Sequence, residues 1–329
     1  MQVGLDFICH SINGRILQGT EKHIISDIST DSRRVEAGSL FIALLGEKFD
    51  GHDFVNRALN KGALAAVVSK TTETIMSCRD DKTLILVKDT LQALQDLATA
   101  YRMRFNLPVI AVAGSVGKTT SKELIASCLS STWKTLKSEG NFNNDIGLPL
   151  TLLNLDESYQ AAVVEMGMRA QGEIKRLATI ARPNFALITN IEPVHLETMG
   201  SLENIARAKC EVLAEIPEDG FALINGDNNL LREVAGEYSC RKYTLGYNKD
   251  CDFQVLGCSR RGSGIDIVMR LQDSTESFFF PLPASRLALN VLAAVALASL
   301  LGISRESIKN SMLNYQPSGN RLHIISLNG

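Results

Sequence analysis

The hydrophobic and polar positions along the chain alternate between short, wholly apolar runs and longer amphipathic ones. Val109–Ala113 reads VIAVA, Ala161–Met166 AAVVEM, Phe185–Ile191 FALITNI and Gly220–Gly226 GFALING. Runs of this length without a polar face suit strands buried on both sides of a parallel sheet. Between them lie helical patterns over Ser121–Leu129, Gly172–Ala181 (stopped before Pro183) and Leu202–Ile216. Upstream, Ser39–Gly46, Ala65–Ser69 and Thr83–Asp89 read as strands, and His52–Ala63 as a helix ending near Gly62. Thr90–Phe105 carries Leu91, Leu94, Leu97, Ala98 and Tyr101 along one side of a helix. Downstream, Lys242–Phe280 changes to short strands with Gly-rich turns. An Ala-rich helix over Leu287–Leu301 and a short helix over Ser307–Pro317 follow.

The pattern predicts an α/β protein. A small N-terminal mixed α/β domain (1–88) precedes a central doubly wound, mostly parallel-sheet ATPase domain (89–317), with the Lys242–Phe280 strands as an antiparallel excursion beyond the sheet. RLHIISLNG, within 318–329, begins something strand-like.

Composition narrows the class. The 329 residues are 45% apolar and 21% charged, with a net charge of −2. That is a globular composition without the basic footprint of a nucleic-acid binder. The seven cysteines include no C-x-x-C pair, as expected of reduced cytosolic thiols. MQVGLDFICHSINGR lacks a basic start followed by a long apolar core, so no signal peptide is expected. Leu287–Ile303 contains Asn290 and Ser299, and reads as a buried helix rather than a membrane span.

Chemistry concentrates after the strands. VIAVAGSVGKTT places Gly114, Ser115, Gly117, Lys118, Thr119 and Thr120 between a strand and a helix. Glycines turn backbone N–H groups toward an anion, and the helix N-terminus adds its positive end. The Lys can reach β/γ-phosphates and the Thr hydroxyl can ligate Mg²⁺, so the loop predicts ATP binding. The glycine spacing is short, with only Ser115 and Val116 between. Ligands of such sheets bind at the carboxyl ends of strands, where Glu165, Asn190, Glu192, His195, Asn225 and Asp227 also fall. A carboxylate and an imidazole there, Glu165 and His195, suggest a divalent metal. In the polar loop Ser29–Ser39, Asp31 and Ser32 read as turn formers and Arg33 as a solvated charge.

Six segments taken in order resemble the Mur ligases: TDSRRVEAGSLFIALLGEKFDGHDF, AGSVGKTT, NFNNDIGLPLTLL, VVEMGMRAQGEI, TNIEPVHLETMGS and ARAKCEVL. NFNNDIGLPLT is most similar to the branch that joins D-alanyl-D-alanine to UDP-N-acetylmuramoyl-tripeptide. The resemblance implies a cytoplasmic, monomeric, ATP- and Mg²⁺-dependent ligase of peptidoglycan precursor synthesis, working through an acyl phosphate. It implies that Lys118 holds the ATP phosphates, that Thr119 and Glu165 ligate one magnesium, and that His195 serves a second. Lys209 matches a lysine that several of these ligases carry as a carbamate, which would add a metal-binding anion; by residue type alone it is a helix-surface lysine. Asn141, Asn143 and Asn144 would lie near substrate and phosphates. Asp31, Ser32 and Arg33 would face the uridine end, and Asn290 and Arg321 would contact ATP. Two departures stand out: Arg286 and Leu287 replace a usual His-Asn pair, and Glu192 stands where glycine is common. The family carries a third, Rossmann-like domain. By that measure residues 1–329 would be the first two domains, binding substrates but ligating poorly. Two alternatives remain: a ligase adding the third stem-peptide residue, and a catalytically silent nucleotide-binding or scaffold protein derived from a ligase.

Overall fold

A computed structural model describes residues 1–76, 81–194, 196–272 and 274–317. The chain forms two compact units, Met1–Asn106 with Asp145–Asp156, and Leu107–Asn144 with the remainder from Glu157.

The first unit is built on a five-stranded sheet in the spatial order Arg15–Gln18, Thr83–Leu86, Ala65–Val68, Ser39–Ile42, Asp27–Ser29. The first pairing is antiparallel and the others are parallel. Every residue of Ser39–Ile42 and Ala65–Val68 is buried, which is why Leu40–Ile42 and Ala65–Val68 read as unbroken apolar runs. The helix Val55–Lys61 ends at Gly62, whose φ of +130° a side chain would strain. Asp89 caps the helix Thr90–Arg102 by accepting from the N–H groups of Leu91 and Gln92. That helix, expected from the sequence to open the second domain, clusters with the first unit. Its apolar side packs on the helices Leu5–Ser11 and Gly147–Leu152, and Tyr101 donates to the Leu155 carbonyl at 2.8 Å.

The polar stretch Gly46–Phe54 is anchored from within this unit. His52 is buried; its Nδ1 lies 2.6 Å from Asp50 Oδ1 and its Nε2 accepts the Ser69 N–H at 2.9 Å. A ring whose Nε2 accepts carries its proton on Nδ1 and donates it to Asp50. Lys70 completes the group as a second partner of Asp50 and is the main reason that carboxyl sits below the usual carboxylate range.

The second unit holds a nine-stranded sheet. Its order is Ser274–Phe280, Gly264–Leu271, Phe253–Arg261, Lys242–Gly246, Phe221–Asn225, Phe185–Ile188, Val109–Ala113, Ala161–Glu165, Thr135–Lys137. Pairings are parallel from Thr135–Lys137 through to Phe253–Arg261, and antiparallel for the last two. The doubly wound expectation is met. The antiparallel strands, however, extend the main sheet through the Leu245–Phe253 pairing instead of leaving it. Their alternating burial, as in Gly264–Leu271, conceals that continuity in the sequence. The helices Lys118–Ser130, Ala288–Leu300 and Arg305–Leu313 pack together over one core. Ala288–Leu300 is apolar nearly all round because it is covered there. No helix among the described residues is long and apolar enough to cross a membrane. The six described cysteines form no disulfide.

The central strand Val109–Ala113 is a switch point. From it the chain winds outward to Thr135–Lys137 and back to Ala161–Glu165 on one flank. It then crosses to Phe185–Ile188 on the other. Helices following such a reversal diverge and open a crevice at the strands' carboxyl ends.

Candidate nucleotide-binding site

The crevice is a cleft of about 680 Å³. Ser115–Thr120, Asn143, Glu165, Thr189, Asn190 and Asn225 line one part of it, and Arg286, Leu287, Leu289 and Asn290 another. Parallel register brings Glu165 beside Val112 and Ile188 beside Ala113, so the strand ends converge.

The loop depends on its glycines. Gly114 has φ +129° and Gly117 +87°. A Cβ at Gly114 would stand 2.1 Å from Thr189 Oγ1 and 3.0 Å from its backbone nitrogen. At Gly117 it would stand 2.8 Å from Asn290 Nδ2. Only glycine permits both the dihedrals and this approach. The helix begins at Lys118 directly after Gly117, three residues earlier than the sequence pattern indicated, so its first N–H groups border the cleft. Thr119 and Thr120, though polar, are its first turn.

Strand-end residues stitch the loop down. The Ser115 N–H donates to the Asn190 carbonyl (2.9 Å) and the Val116 N–H to Asn190 Oδ1 (3.1 Å). Thr189 Oγ1 donates to the Val116 carbonyl (2.7 Å), and the Glu192 N–H to Ser115 Oγ (3.0 Å). The Glu192 carboxylate is exposed and takes a bond from Asn190 Nδ2 at 3.3 Å. On the opposite side Asn290 Nδ2 donates to Ser121 Oγ (2.8 Å) and the Gly117 carbonyl (3.3 Å).

Lys118 Nζ bridges the loop mouth, donating to the carbonyls of Gly114 (2.9 Å) and Ser115 (3.0 Å). Glu165, only 3% exposed, accepts from Thr119 Oγ1 (2.8 Å) and Asn143 Nδ2 (2.9 Å). Two hard oxygens, Thr119 Oγ1 and a Glu165 carboxylate oxygen, thus meet beside the glycine loop. Among the described residues no cluster of three or more His, Cys, Asp or Glu could cage a metal alone. This donor set fits magnesium, which is commonly held by one or two protein oxygens together with phosphates and water.

Lys209 is buried on the helix Leu202–Cys210, not on its surface, with 1% exposure. Burial pushes its amine down to about 7, the nearby Lys118 charge adds to this, and Glu173 and Glu211 oppose it. Asn141 and Asn144 are exposed beside Asn143, on the segment leading from Ser138. Asp31, Ser32 and Arg33 belong to the first unit. They follow the strand Asp27–Ser29, with Ser32 buried and Arg33 forked onto Asp31 at 2.8–2.9 Å. Those hydrogen bonds hold the half-buried Asp31 carboxyl down at about 2. His195 and Arg321 lie outside the described residues. Ser138 and Lys122, which fix Glu165, give no signal in the sequence, since a serine in a loop and a lysine on a helix are ordinary surface residues; Thr189, which fixes the loop, falls in the segment TNIEPVHLETMGS without being singled out within it.

Residues 112–298 match the Mur ligase middle domain, and 24–102 the Mur ligase family catalytic domain. The chain belongs to the Mur ligase family. It is 39% identical to the UDP-N-acetylmuramoyl-tripeptide–D-alanyl-D-alanine ligase of Bacillus subtilis, over 93% of this chain and 65% of that protein. The ligase of that name in Escherichia coli is 36% identical, over 99% and 71%. The crystal structure of MurF from Acinetobacter baumannii superimposes with a TM-score of 0.91 at 31% identity, covering all of this chain and 71% of the other. A MurF ligase from Thermotoga maritima in complex with ADP gives 0.82 at 26% identity, over 92% and 69%. The chain therefore spans about two thirds of the length of these Mur ligases, and just under that for the Bacillus protein.

Proposed function

We propose that this chain carries the ATP site and the uridine-nucleotide unit of a ligase that joins D-alanyl-D-alanine to UDP-N-acetylmuramoyl-tripeptide, in the cytoplasm, during peptidoglycan precursor synthesis. The carrying observation is the meeting of Lys118, the Gly114–Gly117 loop and the Thr119–Glu165 pair in one cleft. The names of the relatives support the choice of substrates.

The chemistry sets a clear requirement. A carboxylate oxygen of the tripeptide attacks the γ-phosphorus, ADP leaves and an acyl phosphate forms. The amine of the dipeptide then attacks the acyl carbon, phosphate departs, and the amine proton passes to solvent. Both partners of the first step are anions, so the site must offset their repulsion and align them. Lys118 supplies an ammonium at the loop mouth, and the start of the helix supplies N–H groups and a positive dipole end. Thr119 and Glu165 would hold Mg²⁺, whose contribution when bound is to screen phosphate charge. Asp31, Ser32 and Arg33 serve the uridine nucleotide, and Asn141, Asn143 and Asn144 border the substrate.

The deciding assay measures ADP release with the UDP-tripeptide and either D-alanyl-D-alanine or a free amino acid as the amine. Release with the dipeptide alone is expected. Release with the free amino acid instead overturns the amine assignment and favours a ligase that adds the third residue. Calorimetric titration that finds no ATP binding overturns the ligase reading altogether.

We assign the carbamate to Lys209, on the burial of its amine. A neutral amine and CO₂ give a carbamate and one proton, and an amine pushed down to about 7 is largely neutral just above that pH. The modified side chain would carry a negative charge near Lys118. Labelled bicarbonate should give a carbamate carbon resonance that grows as pH rises through about 7, because the protonated amine does not react. The Lys209→Gln variant should lack it. A resonance that persists in this variant, or none in the wild type, removes the assignment.

A further inference from the structure

Lys122 is as deeply buried as any side chain in the molecule, and the chemistry above makes no use of it. It stands one turn after Lys118 on the same helix. Its ammonium donates to the Ser138 carbonyl at 2.5 Å and lies 3.2 Å from Glu123 Oε1. The other Glu123 oxygen pairs with Lys137. Two adjacent residues of the phosphate-loop helix therefore grip two consecutive residues at the end of the strand Thr135–Lys137.

The grip leads to Glu165 from two sides. Ser138 Oγ accepts the Glu165 N–H at 3.2 Å, and the Ser138 N–H donates to the Val163 carbonyl at 3.1 Å. At the far end of the same segment, Asn143 Nδ2 donates to Glu165 Oε1 at 2.9 Å, and its carbonyl accepts the Gly167 N–H at 2.8 Å. Segment 138–143 is thus tied to the Glu165 strand at both ends and to the phosphate-loop helix through Lys122. Packing alone does not explain a lysine there. Burying an ammonium is costly, and a leucine or methionine would fill the space without that cost. What the ammonium adds is a charged donor that reaches a backbone carbonyl.

We propose that Lys122 is a positioning residue. By holding Ser138 it keeps segment 138–143 in the place from which Ser138 and Asn143 aim the Glu165 carboxylate at Thr119 Oγ1, and so sets the magnesium dependence of nucleotide binding. This rests on the ATP reading above.

The test is ADP binding by calorimetry across a Mg²⁺ titration and in EDTA, with Lys122→Met and Ser138→Ala beside the wild type. Thermal unfolding of each variant sets a temperature at which all are folded. Outer residues that orient a metal ligand typically change metal affinity by about 10–100-fold. Lys122→Met should therefore raise the Mg²⁺ concentration at half-maximal enhancement by about tenfold. Its metal-free affinity should stay within about twofold of wild type, since Lys118 and the loop are untouched. Ser138→Ala, which keeps the lysine and removes only the Oγ acceptor, should shift the midpoint in the same direction by less. It carries the test if Lys122→Met does not fold. A wild-type Mg²⁺ midpoint in both variants, or an equal loss of affinity with and without magnesium, overturns the proposal. Failure of the wild type to bind ADP at all overturns the ATP reading instead.

Discussion

Lys118→Ala is expected to weaken ADP and ATP binding by about 10–100-fold, the loss that accompanies a charged hydrogen bond of ~1.5–3 kcal/mol. The loss in ADP release with saturating substrates should be larger, about 10²–10³-fold, because charge concentrates on the transferring phosphoryl group as the reaction proceeds. The fold should survive. Lys118 Nζ donates to the Gly114 and Ser115 carbonyls of its own loop, bonds that water can replace at the cleft. A second consequence separates this variant from a simple loss of one ligand contact. The Lys118 charge is the second cause, after burial, of the lowered Lys209 amine. Without it Lys209 should titrate above its wild-type position near 7, so the pH at which a carbamate forms should rise as well. Calorimetry and the labelled-bicarbonate resonance check the two effects separately. Wild-type nucleotide affinity in Lys118→Ala would remove the residue from the site.

Gly114→Ala should act on stability and on the site together. The backbone there has φ +129°, outside the conformations that alanine adopts at low cost. The new methyl would also overlap Thr189 Oγ1 at 2.1 Å and approach the Thr189 nitrogen at 3.0 Å. Thr189 Oγ1 can rotate away only by giving up its bond to the Val116 carbonyl; the backbone nitrogen cannot rotate away at all. Strain of this kind costs ~1–3 kcal/mol, and the lost loop contacts add to it. A total near 3 kcal/mol is a large part of the stability of an ordinary domain. Urea unfolding should show a lower midpoint with an unchanged slope, and nucleotide binding should fall even where the variant is folded. A variant of unaltered midpoint would mean that the strand-end segment yields easily, contrary to the hydrogen bonds that stitch it to the loop.

Much of this molecule is legible in the chain itself. Apolar runs buried on both faces, such as Val109–Ala113 and Ala161–Glu165, announce a parallel sheet because no polar alternation is needed where neither side meets water. The glycine loop announces itself because positive φ and close approach leave glycine no substitute. The six segments that resemble the Mur ligases carry the family in the same way. Where the pattern and the structure part, the reason is tertiary. The helix Thr90–Arg102 has an apolar side that any neighbour could cover; its partner Gly147–Leu152 lies some fifty residues further on. The strands Gly264–Leu271 and Ser274–Phe280 alternate in burial and most of Phe253–Arg261 is exposed, so nothing in them reveals that they continue the main sheet.

The site divides along the same line. Lys118 and Thr119 are fixed by local geometry, since a strand, a glycine turn and a helix start within twelve residues leave them one place to be. Glu165, Asn143, Thr189 and Asn290 reach the cleft from four separate elements, and only sheet register and helix packing bring them together. The two buried lysines are the clearest case. By sequence Lys122 and Lys209 are ordinary charged residues on helices. Chain folding encloses both, and enclosure lowers the amine of Lys209 while the Ser138 carbonyl and Glu123 receive that of Lys122. Sequence determines which conformations the backbone can adopt and which faces avoid water. The loss of solvent that gives a lysine its chemistry is a property of everything packed around it, and so belongs to the tertiary structure alone.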